Sequence, residues 1–204
     1  MGPPSPPPRR RLPREVRQRQ ILDAATVVFS RRGFHAASMD DIAEAAGVSK
    51  PMIYAYLGSK DDLFTACIRR EALRLMEVIS AAVPGGLVPL DERLRRGLLA
   101  FFEFVTGYRD GWIVLYRQAR VHGSFAGEIA RARERIIVMV AGLLARSSDE
   151  DARARAMPLA HAVVGAAEAL SDWGLEHPEE TPEALVSRLM DVIWTGLERA
   201  DHPP

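Results

Sequence analysis

The sequence predicts an all-α protein of about nine helices. Apolar residues recur at i, i+3, i+4 and i+7 through almost the whole chain from Arg14 onward. Hydroxyl or acidic residues stand where these stripes begin, and glycines or prolines stand where they stop. No stretch alternates apolar and polar residues as a half-buried strand does, and no repeat period is visible.

Residues 1–13 hold Pro3, Pro4, Pro6, Pro7, Pro8 and Pro13 around Arg9, Arg10 and Arg11. So much proline prevents helix and leaves almost nothing to bury, which predicts a disordered basic tail. Ile21, Leu22, Ala25, Val28 and Phe29 form the first helical stripe, closed by Gly33. Ser38-Met39-Asp40-Asp41 reads as a capping box for a short second helix, which Gly47 stops. Ser49 is placed to cap a third helix, with Pro51 in its first turn, where a missing N–H costs little. Gly58 ends it. Ser59-Lys60-Asp61-Asp62 then opens a long fourth helix striped by Leu63, Phe64, Cys67, Ile68, Leu75, Met76 and Ile79.

Pro84-Gly85-Gly86 is the strongest break in the chain. After Pro89, a fifth helix carries Leu94, Leu98, Phe101, Phe102 and Val105. Gly107 to Gly111 predicts a kink, and Trp112 to Arg120 a short sixth helix. Gly123 separates it from a seventh, striped by Ile129, Ile136, Ile137, Val140, Leu143 and Leu144. Ser147 to Asp149 offers caps for an eighth that reaches about His177. Thr181-Pro182 opens a ninth with Leu185, Leu189, Val192, Ile193, Gly196 and Leu197.

Composition narrows the function. The chain of 204 residues is 48% hydrophobic, ample for a packed core. No uninterrupted apolar run approaches the ~20 residues that a bilayer span needs, so no membrane association is expected. Cys67 is the only cysteine, which excludes a disulfide within the chain and a Cys-x-x-Cys zinc or redox motif. A lone thiol, with no apolar export stretch behind the arginines, suits a reducing cytoplasm. No Ser-His-Asp or glycine-loop pattern is present, so neither enzyme activity nor a cofactor or metal is expected.

The charge is more informative than its sum. Lys+Arg and Asp+Glu are 27 each, a net of zero. Residues 1–60 hold 10 basic and 5 acidic residues, a net of +5, and residues 61–204 hold 17 and 22, a net of −5. A basic head is what attraction to phosphate requires, and an acidic body is repelled from a duplex. The two lysines, Lys50 and Lys60, both fall at the head.

The second and third helices are short, and Ala46-Gly47-Val48-Ser49 joins them. That is a helix-turn-helix arrangement, whose second helix enters the DNA major groove. Ser38 sits at a helix N-terminus, where hydroxyl, free N–H groups and dipole favour an anion. Ser49, Lys50, Pro51 and Met52 occupy the start of the recognition helix, the part that reaches base edges. Tyr54 and Tyr56 carry hydroxyls able to donate to phosphate, and Lys60 stands at the next helix N-terminus. The plainer alternative for each is a solvated charge or a turn residue. For Arg9 to Arg11 it is a solubilising tail, against a minor-groove role.

Residues 38–63, Ser-Met-Asp-Asp-Ile-Ala-Glu-Ala-Ala-Gly-Val-Ser-Lys-Pro-Met-Ile-Tyr-Ala-Tyr-Leu-Gly-Ser-Lys-Asp-Asp-Leu, resemble the signature of the tetracycline-repressor (TetR) family. The matching elements are Ser38, Ile42-Ala43, Ala46-Gly47-Val48-Ser49, Tyr54 and Lys60 with Leu63. Helix one also fits, through Ile21, Ala24-Ala25, Phe29 and Gly33-Phe34. The likeness covers roughly residues 17–65. Two positions depart from it: Pro51 stands where the family often has glycine, and Leu57 where it often has phenylalanine. Pro51 puts base preferences carried over from relatives in doubt, but not DNA binding.

The resemblance implies three segments: the tail at 1–13, a helix-turn-helix DNA-binding domain at 14–60, and a ligand-binding and dimerisation domain at 61–204. It implies that the last two helices pair with their mates in a homodimer. Ala160, Val164, Ala167 and Ser171 of helix eight, with Leu189, Val192, Ile193 and Gly196 of helix nine, are the interface candidates. The alternative is that this stripe packs inside one chain. Seven of the 14 aromatics lie within residues 101–125, the region that lines the family's pocket. The pocket candidates are Phe101, Phe102, Tyr108, Trp112, Tyr116, Phe125, Met139, His161 and Glu168, although aromatic stripes serve equally as core. His161, Glu168 and Asp172 share one face of helix eight, which suits a polar network better than a metal. The implied function is a dimeric regulator of transcription. It would be a repressor that leaves a palindromic double-stranded DNA operator when a small apolar or aromatic effector binds. The other function class is a helical small-molecule carrier or partner-binding protein with a vestigial head.

Overall fold

The computed structural model describes residues 13–83, 88–118, 125–145 and 149–201, with side chains as far as Arg117 in the second stretch and Trp194 in the last. Pro3 to Arg11, Pro84-Gly85-Gly86, Gly123, Ser147, and the side chains of Gly196 and Leu197 lie outside the described residues. Among the described residues every element is helical: α1 (Arg14–Ala36), α2 (Met39–Ala46), α3 (Lys50–Leu57), α4 (Lys60–Ala82), α5 (Leu90–Gly107), α6 (Arg109–Trp112, winding on as a π-helix over Ile113–Gln118), α7 (Ala126–Leu144), α8 (Glu150–Glu176) and α9 (Pro182–Asp201). The protein is all-α, with an N-terminal helix-turn-helix unit followed by a helical unit. No described helix is long and apolar enough to cross a membrane.

The chain divides into two compact units within α4, after Ala66. The sequence places that division six residues earlier. The reason is aromatic. Leu63 and Phe64 have no exposed surface. The Phe64 ring meets Phe29 edge-on at 4.9 Å and lies 5.1 Å from Phe34. The first turns of α4 are thus core of the first unit.

In that unit α1 packs on α2 and α3. Ile21, Ala25, Phe29, Ile42 and Ile53 are fully buried. α1 runs to Ala36 but breaks at Gly33, whose φ is 76°. Ser38 makes the expected capping box with Asp41, and Ser59 makes one with Asp62. Ser49 differs: its side chain makes no capping hydrogen bond. A capping side chain bonds the second or third N–H of the helix. Here Pro51 has no N–H, and Met52 N–H donates instead to the Ser49 carbonyl at 3.0 Å.

In the second unit α7 lies along α8, and α9 packs on α5 and α8. The break after α5 is at Tyr108, so α6 begins at Arg109, three residues before the expected start at Trp112. Gly111 lies inside α6, against the side chain of Glu71. A Cβ there would sit 2.6 Å from Oε2 of Glu71, a buried carboxylate of α4 that Arg70 and Arg74 hold. Asp149 caps α8, accepting from Ala152 N at 2.7 Å, and Thr181 caps α9. Glu128 ties α7 to α4. Its carboxylate accepts from Arg69 Nε and Nη2 at 2.8 and 2.9 Å, and from Arg131 at 2.8 Å.

The hydrogen bond from Arg69 is the largest cause that brings the Glu128 carboxyl down to about 2. A depressed carboxyl stabilises the fold above its unfolded value and loses that contribution as pH falls through the folded one. Both arginines are well exposed, so solvent screening leaves roughly 1–2 kcal/mol. Urea unfolding should therefore lose about that much stability between pH 5 and pH 2, and Glu128→Gln should remove that part of the pH dependence. An unchanged slope in the variant would show that Glu128 contributes none of it.

Candidate nucleic-acid interface and enclosed cavity

The turn between α2 and α3 is fixed from both sides. Gly47 caps α2 in the left-handed region, at φ 61°, a conformation closed to most side chains. Its N–H donates to Glu44 O, and Val48 N–H donates to Ala43 O, each at 3.0 Å. Gln20 of α1 reaches across and donates to Ala46 O at 2.6 Å. This residue is absent from the sequence-derived candidates. Only the tertiary packing brings it, 26 positions away, to the end of α2.

α3 buries a single side chain, Ile53. Tyr54 is 49% exposed, Ser49 and Pro51 are exposed, and Lys50, Met52 and Tyr56 are half-buried. Lys50 and Tyr54, four apart, share one face, and Met52 and Tyr56 share another, nearly opposite round the helix. Arg14 stands over the Tyr56 ring, 5.3 Å from its centre. Lys50 Nζ donates to Asp40 Oδ2 at 2.9 Å, and that hydrogen bond raises the ammonium above its usual range. The pair is open to solvent on both sides, so a phosphate can displace the carboxylate. Lys60 Nζ lies 4.6 Å from the centre of the Phe34 ring and donates to His35 O at 3.2 Å. That bond takes one of its three protons.

Ser38 stands at the N-terminus of α2, where the sequence places it. Its hydroxyl donates to Asp41 Oδ2 at 2.7 Å and accepts from Asp41 N at 3.1 Å. Those bonds, with Arg32 at 2.6 Å, hold the Asp41 carboxyl below the ordinary range. The hydroxyl proton is spent on the cap, and Asp40 and Asp41 line the terminus at which an anion was expected.

The second unit encloses a cavity between α4, α5, α6, α7 and α8. Its wall is almost wholly apolar: Leu75, Ile79, Leu94, Leu98, Phe101, Trp112, Ile136, Val140, Leu144, Val163 and Val164 all face it. Arg93 and Glu168 are its polar members. The cavity volume is about 70 Å³. At Trp112, Ile136 and Glu168 it adjoins a second recess of about 300 Å³, lined also by Leu115, Tyr116 and Arg133. Trp112 meets Phe101 edge-on at 5.3 Å and stacks on Tyr116 at 4.8 Å. Glu168 accepts from Arg133 Nε at 3.0 and 3.2 Å.

Four sequence-derived pocket residues therefore meet at this cavity: Phe101, Trp112, Tyr116 and Glu168. Five do not. Phe102 is buried core behind Phe101, and Phe125 is buried elsewhere. Tyr108 is 49% exposed, under the Arg74 guanidinium. His161 is exposed, and Met139 lines a surface groove beside Arg69 and Val138. Arg93 is the wall residue that sequence reasoning lacks, because an arginine one position before a leucine stripe reads as a solvated charge.

The interface candidates also divide. Ala160, Val164, Ala167, Ser171 and Leu189 are buried within the single chain, and Val164 and Ala167 face the cavity. Gly174 accepts Leu185 of α9 against its Cα, where a Cβ would lie 3.0 Å from that leucine. Within the single chain the small-residue stripe is covered by its neighbours. Val192 is 76% exposed and Ile193 half-buried, and Trp173 adds a 39% exposed ring.

Comparison with known proteins gives the same division. The family profile described as bacterial regulatory proteins, tetR family, matches residues 21–67. The profile described as tetracyclin repressor-like, C-terminal domain, matches residues 90–196. The HTH-type transcriptional activator FasR of Mycolicibacterium smegmatis is 31% identical over 188 residues, 92% of this chain and 85% of that protein. The HTH-type transcriptional repressor AcnR of Corynebacterium glutamicum is 36% identical over 40% of each chain. Among solved structures, a TetR-like transcriptional regulator from Rhodococcus sp. RHA1 is 45% identical, with a TM-score of 0.74 over 92% of this chain and 99% of its own.

Two substitutions separate the roles assigned within the head. Asp40→Asn frees Lys50 and removes one negative charge, so random duplex DNA should bind a few-fold tighter at low salt. Ser38→Ala should lower stability by about 1 kcal/mol through loss of the cap, and leave that affinity nearly unchanged. Fluorescence anisotropy and thermal melting read both. Unchanged affinity for Asp40→Asn, or a large loss of affinity for Ser38→Ala, would reverse the two assignments.

Proposed function

The chain belongs to the tetracycline-repressor family of bacterial regulatory proteins, and we propose that it is a dimeric, ligand-responsive repressor that leaves a palindromic operator when a small molecule fills the body cavity. Its relatives are transcription regulators, not enzymes. The observation that carries the reading is α3. The helix gives only Ile53 to the core, leaves Pro51 and Tyr54 exposed, and keeps Lys50, Met52 and Tyr56 no more than half-buried. Lys50 and Met52 read base edges, and Tyr54, Tyr56 and Lys60 hold phosphates. An intact basic head of this kind argues against the carrier reading.

Two heads are needed to read two half-sites about one turn, ~34 Å, apart, so a symmetric operator goes with a two-fold dimer. Val192, Ile193 and Trp173 supply apolar surface for the dimer contact. α4 begins in the first unit and places Leu75 and Ile79 in the cavity wall of the second. A ligand that favours one position of these side chains shifts the population of α4, and with it the separation of the heads.

Activation is the second reading, favoured by the name of the activator relative that matches 92% of the chain. DNA binding is the same in both. The position of the operator relative to the promoter decides the sign.

Selection from genomic fragments at several salt concentrations tests the proposal. A small set of fragments should be enriched, each protected over two symmetric half-sites, with affinity falling steeply as salt rises. Lys60→Ala should weaken every fragment alike, whereas Met52→Ala or Lys50→Ala should reorder them. If no fragment outcompetes random DNA at any salt, the proposal fails.

A further inference from the structure

Two hydrogen-bond donors in the cavity wall have no acceptor among the described residues. One is Nε1 of Trp112, a side chain only 2% exposed. The other is Nε of Arg93. Arg93 Nη1 donates to the carbonyl of Ala145 at 3.4 Å, and the guanidinium pairs with no carboxylate among the described residues. A buried N–H without an acceptor is costly, and more so on a cation. Both are placed to donate to a molecule in the cavity.

Their placement gives the ligand a shape. Arg93 and Phe101 are eight positions apart on α5, or ~12 Å along the axis. Trp112 rests against Phe101 at 5.3 Å. The two donors share the cavity wall with Leu94, Leu98 and Val140. The rest of that wall is largely apolar.

Their chemistry gives the ligand its groups. A guanidinium keeps its charge and matches a carboxylate. Trp112 is a neutral donor, and the carboxylate of Glu168 shares its stretch of wall in both the cavity and the recess. A second anion there meets Glu168, whereas a hydroxyl accepts from the indole and can donate to a carboxylate. We propose that the cavity holds an aliphatic carboxylic acid bearing a second, neutral oxygen further along its chain, with the carboxylate on Arg93 and that oxygen on Trp112 Nε1. This rests on the reading of the cavity as the effector site, and it replaces the apolar or aromatic molecule of the sequence reading with a definite class.

Calorimetry on the full chain tests it with straight-chain carboxylic acids, the same acids hydroxylated at successive carbons, and their methyl esters. One hydroxyl position should bind about tenfold tighter than the unsubstituted acid, and esterification should cost about tenfold. Trp112→Phe should erase the hydroxyl preference and keep the ester penalty, and Arg93→Gln should do the reverse. Should either variant fail to fold, the unaltered protein still decides: the indole N–H resonance of Trp112 should shift with the hydroxylated acid and stay with the plain one. Equal affinities for acid, hydroxy acid and ester, or an indole resonance that never moves, would overturn the ligand class while leaving the cavity as an effector site. If no member of the series binds, the effector-site reading falls and the ligand class falls with it.

Discussion

α4 has to satisfy two hydrophobic cores with one rigid element. Its first turns bury Leu63 and Phe64 among the aromatic rings of the head. Its later turns bury Cys67, Ile68, Glu71, Leu75 and Ile79. A helix transmits axial position and twist far better than a loop, because each turn is held by its own hydrogen bonds. The boundary between the units falls inside a helix, so α4 supplies buried residues to both cores. Gly111 of α6 lies against the buried Glu71 side chain of α4. α6 also carries Trp112, a wall residue of the cavity. The residues that would sense a ligand and the residues that hold the head thus lie along one helix and its close neighbour.

The head is held ready by interactions that compete with its work only weakly. Lys50 is paired with Asp40, but in full view of solvent. Lys60 lies on an aromatic face and a carbonyl and retains two donor protons. The stronger local bonds, those of Asp41 and Asp62 to their serine caps, stay inside the helix termini. The net charge of zero hides this arrangement, because the +5 of residues 1–60 and the −5 of residues 61–204 belong to different tasks.

Much of the fold was legible because its determinants are local. Capping boxes span four residues, Gly47 declares a turn by itself, and the stripe Leu63, Phe64, Cys67, Ile68 names a buried face without any partner. What escaped depends on tertiary contact. Ser49 reads as a cap until Pro51 is seen to remove a donor that it would bond. Ala160, Val164, Ala167 and Ser171 have the spacing of a close-packed face, and that spacing is the same whether the partner is another helix of the chain or a second copy. The aromatic cluster located the cavity region through Phe101, Trp112 and Tyr116, but periodicity gave no means to separate them from Phe102 and Phe125, one residue or one helix away. Arg93 carries no sequence signature at all, because an unpaired donor is a property of the completed packing.

The central claim is that the cavity and the DNA-reading helices share one equilibrium, and linkage makes it measurable as a closed cycle. The tightest-binding acid of the series would be titrated into the free protein and into the protein bound to its selected fragment. The fragment would be titrated into protein with and without that acid. The account predicts that the acid binds the DNA complex more weakly than the free protein, by the same factor by which it weakens DNA binding. A factor of one on both sides of the cycle, with both ligands bound tightly, would contradict it.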